Sequence, residues 1–311
     1  MADAADALHR LQLSCVEPLI IATRKRRRLA AFGIASPERL ACADLALMAD
    51  SGACVPPCSA LIAAERRYLA RYLGGGGASF IPPRWRGVPA VIELDRYPDF
   101  ASYADRVRRH SKGGVLRQVR RARAQGFFCK RIHRDFYRRQ VFAIDTSKRF
   151  RSGLVLKSLV RRQPASDLPA DISPAEIAAY LGRPAVRIAD GAPLPEPPSP
   201  VCAQHWNIDW GMFQCEDTGS APRERLVGYL FLRRAGNIVR TVGLMGHGDY
   251  LAQNVMKLLF HDIMQWLLAR ADPHVVGLRY LLYGAIEHGN DGLLAWKRSF
   301  EFAPLRFAVR E

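Results

Sequence analysis

The chain has 311 residues and a formal net charge of +17; its content of 49% hydrophobic and 24% charged residues is ordinary for a globular protein. No apolar run reaches the roughly 18–20 residues of a membrane-spanning helix; the best candidate, Val255 to Leu268, is interrupted by Lys257, His261 and Asp262. The opening MADAADALHR has acids before any base, which is not the pattern of a secretory signal, and we read a cytoplasmic protein with reduced thiols.

Residues 1–80 are predicted to be a mostly helical segment. Ser36-Pro37-Glu38 has the form of a helix start, with a cap, a proline at the first position and an acid in the first turn. Arg24 to Arg28 continues a helix with one wet face. Ser59 to Leu73 is a further helix, stopped by the run Gly74 to Gly77, which is the expected joint to a second domain over 81–311. Seven cysteines are scattered along the chain, and Cys54-Val-Pro-Pro-Cys58 is a lone pair with no second pair at metal-site spacing. No metal is therefore expected.

After the joint, Ala90–Leu94 reads as a strand. A basic helical region spans 103–162, with helix from Tyr103 to Gln125 broken near Gly113-Gly114, a strand at Phe127–Ile132, and helices over Phe136–Thr146 and Gly153–Arg162. Between Arg106 and Arg162 there are 19 Lys/Arg against two acids, Asp135 and Asp145, whereas the other 254 residues are electrically balanced. Arginine-rich codon usage would not concentrate the excess in 57 residues. A surface that meets a polyanion would, whether RNA, DNA, a nucleotide-linked substrate or an anionic membrane. Arg117, Arg120, Arg121, Arg149 and Arg151 are its candidate contacts.

Residues 163–200, ending in PLPEPPSP, form a Pro-rich linker. Strands follow at Ala203–Met212, Leu226–Arg233 and Asn237–Leu244, the last two joined by a hairpin turn at Arg234 to Asn237. A long amphipathic helix is expected over Tyr250–Ala271, then a strand at Tyr280–Ala285, a helix from Asp291 to Phe300 and a closing strand at Leu305–Val309. No internal repeat is visible.

The chemistry concentrates between residues 226 and 307. Two antiparallel strands feed the turn Gly243-Leu-Met-Gly246-His247-Gly248 ahead of the long helix, where glycines let backbone approach a ligand and free amides suit phosphate or an oxyanion. Lys297, one of seven lysines, lies on an apolar helix between Trp296 and Phe300. His247 and Asp249 sit in the turn, where a histidine is a candidate base and the aspartate a candidate helix cap. His205 and Asp209 fall on one strand face, with Trp206 and Trp210 on the other. Glu287 and His288 follow a central strand and are placed to reach a cleft. Cys202, near His205, reads as a small packed residue.

This order resembles the GNAT acyltransferase fold, whose strand–turn–helix binds the donor pyrophosphate and whose last helix commonly reads Asn-x-x-Ala-x-x-Leu-Tyr-x-x-x-Gly-Phe. Gly246 and Gly248 match the turn glycines, and Asn290 and Phe302 match the helix. Gly243 stands where Gln or Arg is usual, Lys297 at the Tyr position and Glu301 at the Gly position. Trp296-Lys297-Arg298-Ser299-Phe300 is similar to the Phe-Lys-x-x-Phe helix of the FemABX branch, which transfers amino acids from aminoacyl-tRNA. Arg121-Ala122-Arg123-Ala124-Gln125-Gly126 is similar to the end of that branch's basic helix. The resemblance covers about residues 85–311.

It implies an α/β (α+β) fold, a mixed and mostly antiparallel sheet flanked by helices, preceded by the N-terminal helical segment. It also implies an acyl or aminoacyl transferase with no permanently bound cofactor. The donor would be aminoacyl-tRNA or an acyl-CoA, and the acceptor an amine. Lys297, His205, His247, Asp209, Asp249 and Glu287 are then the catalytic candidates, and Gly246, Gly248, Tyr250 and Asn290 the donor-binding ones. The rival reading is a non-catalytic RNA- or DNA-binding protein on a degenerate GNAT scaffold.

Overall fold

A computed structural model describes residues 24, 25, 27–35, 39–47, 54, 57–70, 72, 87–148, 150, 151, 154, 155, 196–217 and 222–310. The glycine joint, Arg149 and nearly all of the Pro-rich linker lie outside them, as does most of the helix expected over 153–162.

The centre of the molecule is a seven-stranded sheet. In chain order its strands are β2 (Pro89–Glu93), β3 (Phe127–Ile132), β6 (His205–Asp217), β7 (Pro222–Ala235), β8 (Ile238–Gly246), β9 (Tyr280–Ala285) and β10 (Ala303–Pro304). Their order across the sheet is β10-β2-β9-β8-β7-β6-β3. Every neighbouring pair is antiparallel except β8 and β9. The mostly antiparallel sheet expected from the sequence is therefore present, with its long hairpins where β-branched and aromatic residues alternate.

Helices cover the sheet. The longest, α5 (Val255–Ala269), buries Val255, Leu258, Leu259, Ile263, Leu267 and Leu268 among others, the three-and-four spacing that puts one stripe on the core. It begins later than the sequence suggests, because residues 248–253 form a 3-10 turn and Asn254 takes a left-handed conformation at φ 64°. Two basic helices, α2 (Phe100–His110) and α3 (Gly114–Ala124), precede β3. A capping box between Asp99 and Ser102 starts α2, and Gly113, at φ 74°, turns the chain into α3. Val115, Val119 and Ala122 face the core, while Arg117, Arg120 and Arg121 are exposed. A further helix, α4 (Arg138–Thr146), packs on the β7–β8 hairpin, and α6 (Asp291–Ser299) follows β9.

Two expectations change. Residues 42–46 form β1, which pairs in parallel with β11 (Arg306–Arg310) as a separate two-stranded sheet, so the N-terminal segment is not helical there. Ala and Leu have high helix propensity, but a partner more than 260 residues away decides the local structure. Strand β4 (Phe150–Arg151) pairs antiparallel with β5 (Leu154–Val155), so residues 154 and 155 are strand where the start of a helix was expected. Helix α1 (Pro57–Leu69) forms as expected and docks on the sheet through a buried ion pair. Glu65, fully buried, accepts from Arg240 of β8, with one hydrogen bond at 2.9 Å, and the guanidinium lies 3.7 Å from the centre of the Tyr68 ring. No helix among the described residues is long and apolar enough to cross a membrane.

Candidate functional site

The two parallel strands do not stay together. β8 and β9 pair only at Ile238–Tyr280, Val239–Leu281 and Arg240–Leu282. Immediately beyond, the β7–β8 ladder shifts register, with Leu232 opposite Thr241 and Phe231 opposite Gly243, so Val242 is an extra residue. Such a bulge bends a strand. The β8–β9 ladder stops at that bend, so residues 243–246 and 283–285, which follow the last pair on two neighbouring parallel strands, form no ladder with each other; this unpaired stretch is the wedge. Val242 is exposed, and Gly243, Leu244, Met245, Tyr283 and Gly284 are half-buried. Strand edges that part in this way carry backbone donors and acceptors into the gap.

Lys297 stands at the C-terminal end of β9. It is 1% exposed, its Nζ donates to the Ala285 carbonyl at 2.5 Å, and it lies 5.1 Å from the centre of the Tyr283 ring. Helix α6 holds it there because Trp296 and Phe300 lock into an aromatic cluster with Phe260, Tyr283 and Phe302. Burial pushes the ammonium down to about 7, against the pull of nearby Glu287. An ammonium held near 7 changes charge close to neutral pH.

Glu287 is fully buried, and both its oxygens accept from the Val88 amide, at 3.2 and 3.1 Å. Burial raises its carboxyl above the usual range, partly offset by those hydrogen bonds. Arg28 completes the cluster. It is buried, donates to the carbonyls of Gly289 and Asn290, and pairs with Asp291 at 3.0 Å. Asn290 itself caps α6, its Oδ1 accepting from the Leu293 amide at 3.0 Å.

The turn behaves differently from a phosphate cradle. A Cβ on Gly246 would come within 2.6 Å of Met256 Sδ and 2.8 Å of Leu251, so this glycine serves close packing. The Gly248 amide donates to Ser147 Oγ at 2.9 Å, and a Cβ there would meet Ser147 and Lys148. His247 is buried, its Nδ1 accepts from the Asp249 amide at 3.4 Å, and its ring meets Tyr250. Tyr250 also packs edge-on against Phe127. Asp249 is exposed, and the side chain that caps this turn is that of His247.

His205 and Asp209 do not reach the wedge. Hairpin connections place β7 between β6 and β8, so both residues sit a full strand away from it. Asp209 lies 3.6 Å from Arg134 in a groove with Arg131, His133 and Asn207. His205 is buried beside Cys54, Cys58 and Cys202. The cysteine pair that stood alone in the sequence, Cys54 and Cys58, is joined here by Cys202, read from the sequence as a packed residue. The two tryptophans do face the core as expected, both packing on Trp266 of α5.

One pair escaped the sequence altogether. Tyr229 of β7 donates to the buried Asp145 carboxylate of α4 at 2.6 Å, and the Tyr229 and Phe231 rings would be 3.3 Å from a Cβ on Gly243. The available signal was Asp145 itself, an acid at the end of the apolar run 141–144 within a segment that has only two acids.

The basic region divides in two. Arg106 and His110 meet Glu301, Arg123 meets Asp262, Lys130 meets Glu224, Arg131 meets Asp272, and Arg138 meets Asp135. Among the described residues, Arg109, Lys112, Arg117, Arg120 and Arg121 are exposed and have no carboxylate at ion-pair distance. Arg117 shares a helix face with Arg120 and Arg121. Between them and α5, Gln118 accepts from Lys257 Nζ at 2.5 Å, which ties this face to the first turn of α5. Arg151 lies in β4 and Arg149 is outside the described residues.

No family model matches the chain, and no curated protein matches it. Among solved structures, a tandem GNAT protein from the clavulanic acid biosynthesis pathway aligns over 83% of this chain and 58% of its own, at 15% identity and a TM-score of 0.37. FemX aligns over 78% of this chain and 65% of its own, at 10% identity and a TM-score of 0.42. The C-terminal DUF2156 domain of a protein assigned as a lysylphosphatidylglycerol synthetase from Agrobacterium fabrum aligns over 70% and 57%, at 10% identity and a TM-score of 0.36. The chain therefore spans 57% to 65% of the length of these structures. Its own topology is an antiparallel series followed by turn, long helix and one parallel strand whose pairing stops early, the mostly antiparallel arrangement that the sequence resemblance leads one to expect.

Proposed function

We propose that this chain is an acyl or aminoacyl transferase of the GNAT/Fem type that uses aminoacyl-tRNA as donor and an amine as acceptor. The observation that carries the reading is the wedge between β8 and β9 with Lys297 at its end. An extended acyl group can pair with the parted strand edges, as an added strand pairs with a sheet edge. The acceptor nitrogen then bonds to the ester carbonyl carbon, and the carbon–oxygen bond to the donor breaks. A lysine of pKa about 7 is matched to take the proton from the attacking amine and return it to the departing oxygen.

Two features favour a tRNA over a coenzyme A thioester. The glycine turn packs against Met256 and Leu251, and its Gly248 amide is occupied by Ser147. An exposed arginine face lies on α3 beside the start of α5, where a phosphate backbone gains charge-assisted hydrogen bonds. Calorimetry with charged tRNA and, separately, acetyl-CoA at about 0.15 M salt tests the donor. Tighter binding of charged tRNA is expected. Micromolar acetyl-CoA binding with no tRNA preference would reverse the donor, and binding of neither would overturn the reading.

A further inference from the structure

Away from the wedge, four side chains converge that are all metal-ligand types. Cys54 precedes α1, Cys58 lies in the first turn of α1, Cys202 leads into β6, and His205 is the first residue of β6. The ligand atoms of all four lie within 4.8 Å of one another. Cys54 Sγ is 3.3 Å and Cys202 Sγ 3.5 Å from His205 Nδ1. A tetrahedron with metal–sulfur bonds of about 2.3 Å and a metal–nitrogen bond of about 2.0–2.1 Å has edges of roughly 3.5–3.8 Å. The cluster is close to that size without a metal in it.

The imidazole is already set for the role. His205 Nε2 lies 2.8 Å from the Leu47 carbonyl, which only accepts, so Nε2 carries the proton and donates. In the neutral ring Nδ1 then holds its lone pair toward the sulfurs. A histidine ligand oriented by a backbone carbonyl at its other nitrogen is the usual outer-shell arrangement of zinc sites. Cys54, Cys58 and Cys202 are all free thiols. The spacing is that of two short chelating pairs, Cys-x3-Cys and Cys-x2-His, with Cys54 and His205 separated by 151 residues.

We infer that Cys54, Cys58, Cys202 and His205 bind one zinc ion in a closed, structural site. Three thiolates and an imidazole suit zinc among the common divalent ions, and four protein ligands leave no position for a substrate. On binding, each of the three thiols releases its proton to solvent as its sulfur joins the metal. The ion clamps the start of α1 and the segment after β1 to the head of β6, and so fastens the N-terminal segment to the sheet. It takes no part in transfer at the wedge.

The test uses the full-length protein, purified without a metal-affinity step, and measures its zinc content by mass spectrometry. One zinc per chain is expected in the wild type and in Cys42→Ser, a control whose cysteine lies outside the cluster. Cys58→Ser and Cys202→Ser should lose it. Cobalt added to chelator-stripped wild type should give sulfur-to-cobalt charge transfer and the intense visible bands of a tetrahedral ion, which decides the matter even where a serine variant fails to fold. Chelator should lower the melting temperature of the wild type and leave that of Cys58→Ser unchanged. Wild type that carries no zinc and takes up neither zinc nor cobalt stoichiometrically would overturn the inference. So would a disulfide joining two of the three cysteines in protein kept under reducing conditions, or zinc content unaffected in both serine variants.

Discussion

Replacing Lys297 by Met is expected to slow acyl transfer by roughly two to three orders of magnitude, the scale seen when one preorganised group at a reacting centre is removed. Met fills nearly the same volume in the aromatic cluster around Trp296, so the fold survives. The stability of the two proteins separates them further. In the folded chain the Lys297 pKa is lowered from 10.5 to about 7 by burial. Between those values the unfolded chain holds the proton and the folded one has released it, so wild type gains stability as pH rises from about 7 towards 10.5. Below about 7 the lysine is protonated in both states, so the Met variant's advantage over the wild type is largest there and no longer changes with pH. Melting temperatures across pH 6 to 10 and single-turnover transfer rates check both halves. Transfer that survives the substitution would remove Lys297 from the mechanism.

Reversing Arg117, Arg120 and Arg121 together to Glu is expected to weaken tRNA binding by about two orders of magnitude at moderate salt. It should also flatten the dependence of log K on log salt by about 2 to 3, at roughly 0.7 to 0.9 for each phosphate no longer neutralised. The residues are exposed and their neighbours Val119 and Ala122 carry the packing, so folding is untouched. Arg123, Arg131 and Arg106 supply the contrast. Each already meets a carboxylate, on Asp262, Asp272 and Glu301 respectively, and reversing them should change the salt slope much less. Filter binding or fluorescence anisotropy over a salt series measures both sets. Equal slopes for wild type and the first triple variant would mean that the α3 face meets no polyanion.

Local pattern made most of the sheet legible. Phe127–Ile132 and Tyr280–Ala285 coincide with β3 and β9, because short apolar and aromatic runs of this kind have no competing helical period. β1 was hidden because its residues are good helix formers and its partner lies at the other end of the chain. The site was legible only in part. Lys297 stood out by its rarity on an apolar helix, but its burial, and therefore its pKa near neutrality, depends on Ala285 and the aromatic cluster meeting it in space, against the pull of Glu287. His205 and Asp209 were misplaced for a topological reason, since strand spacing gives their face but not which strand separates them from the wedge. The cysteine cluster escaped for the same reason, its two halves being short pairs that only the fold brings together.

The wedge itself admits the most direct test. Hydrogen–deuterium exchange of the full-length protein, alone, with uncharged tRNA and with charged tRNA, reads the backbone amides on both parted strands. Both forms of tRNA should protect the exposed face around Arg117 to Arg121. Only charged tRNA should add protection at residues 243–246 and 283–285, where the aminoacyl end would pair with the strand edges of β8 and β9. Identical exchange at those residues with charged and uncharged tRNA would contradict the assignment of the wedge as the place where the acyl group is held.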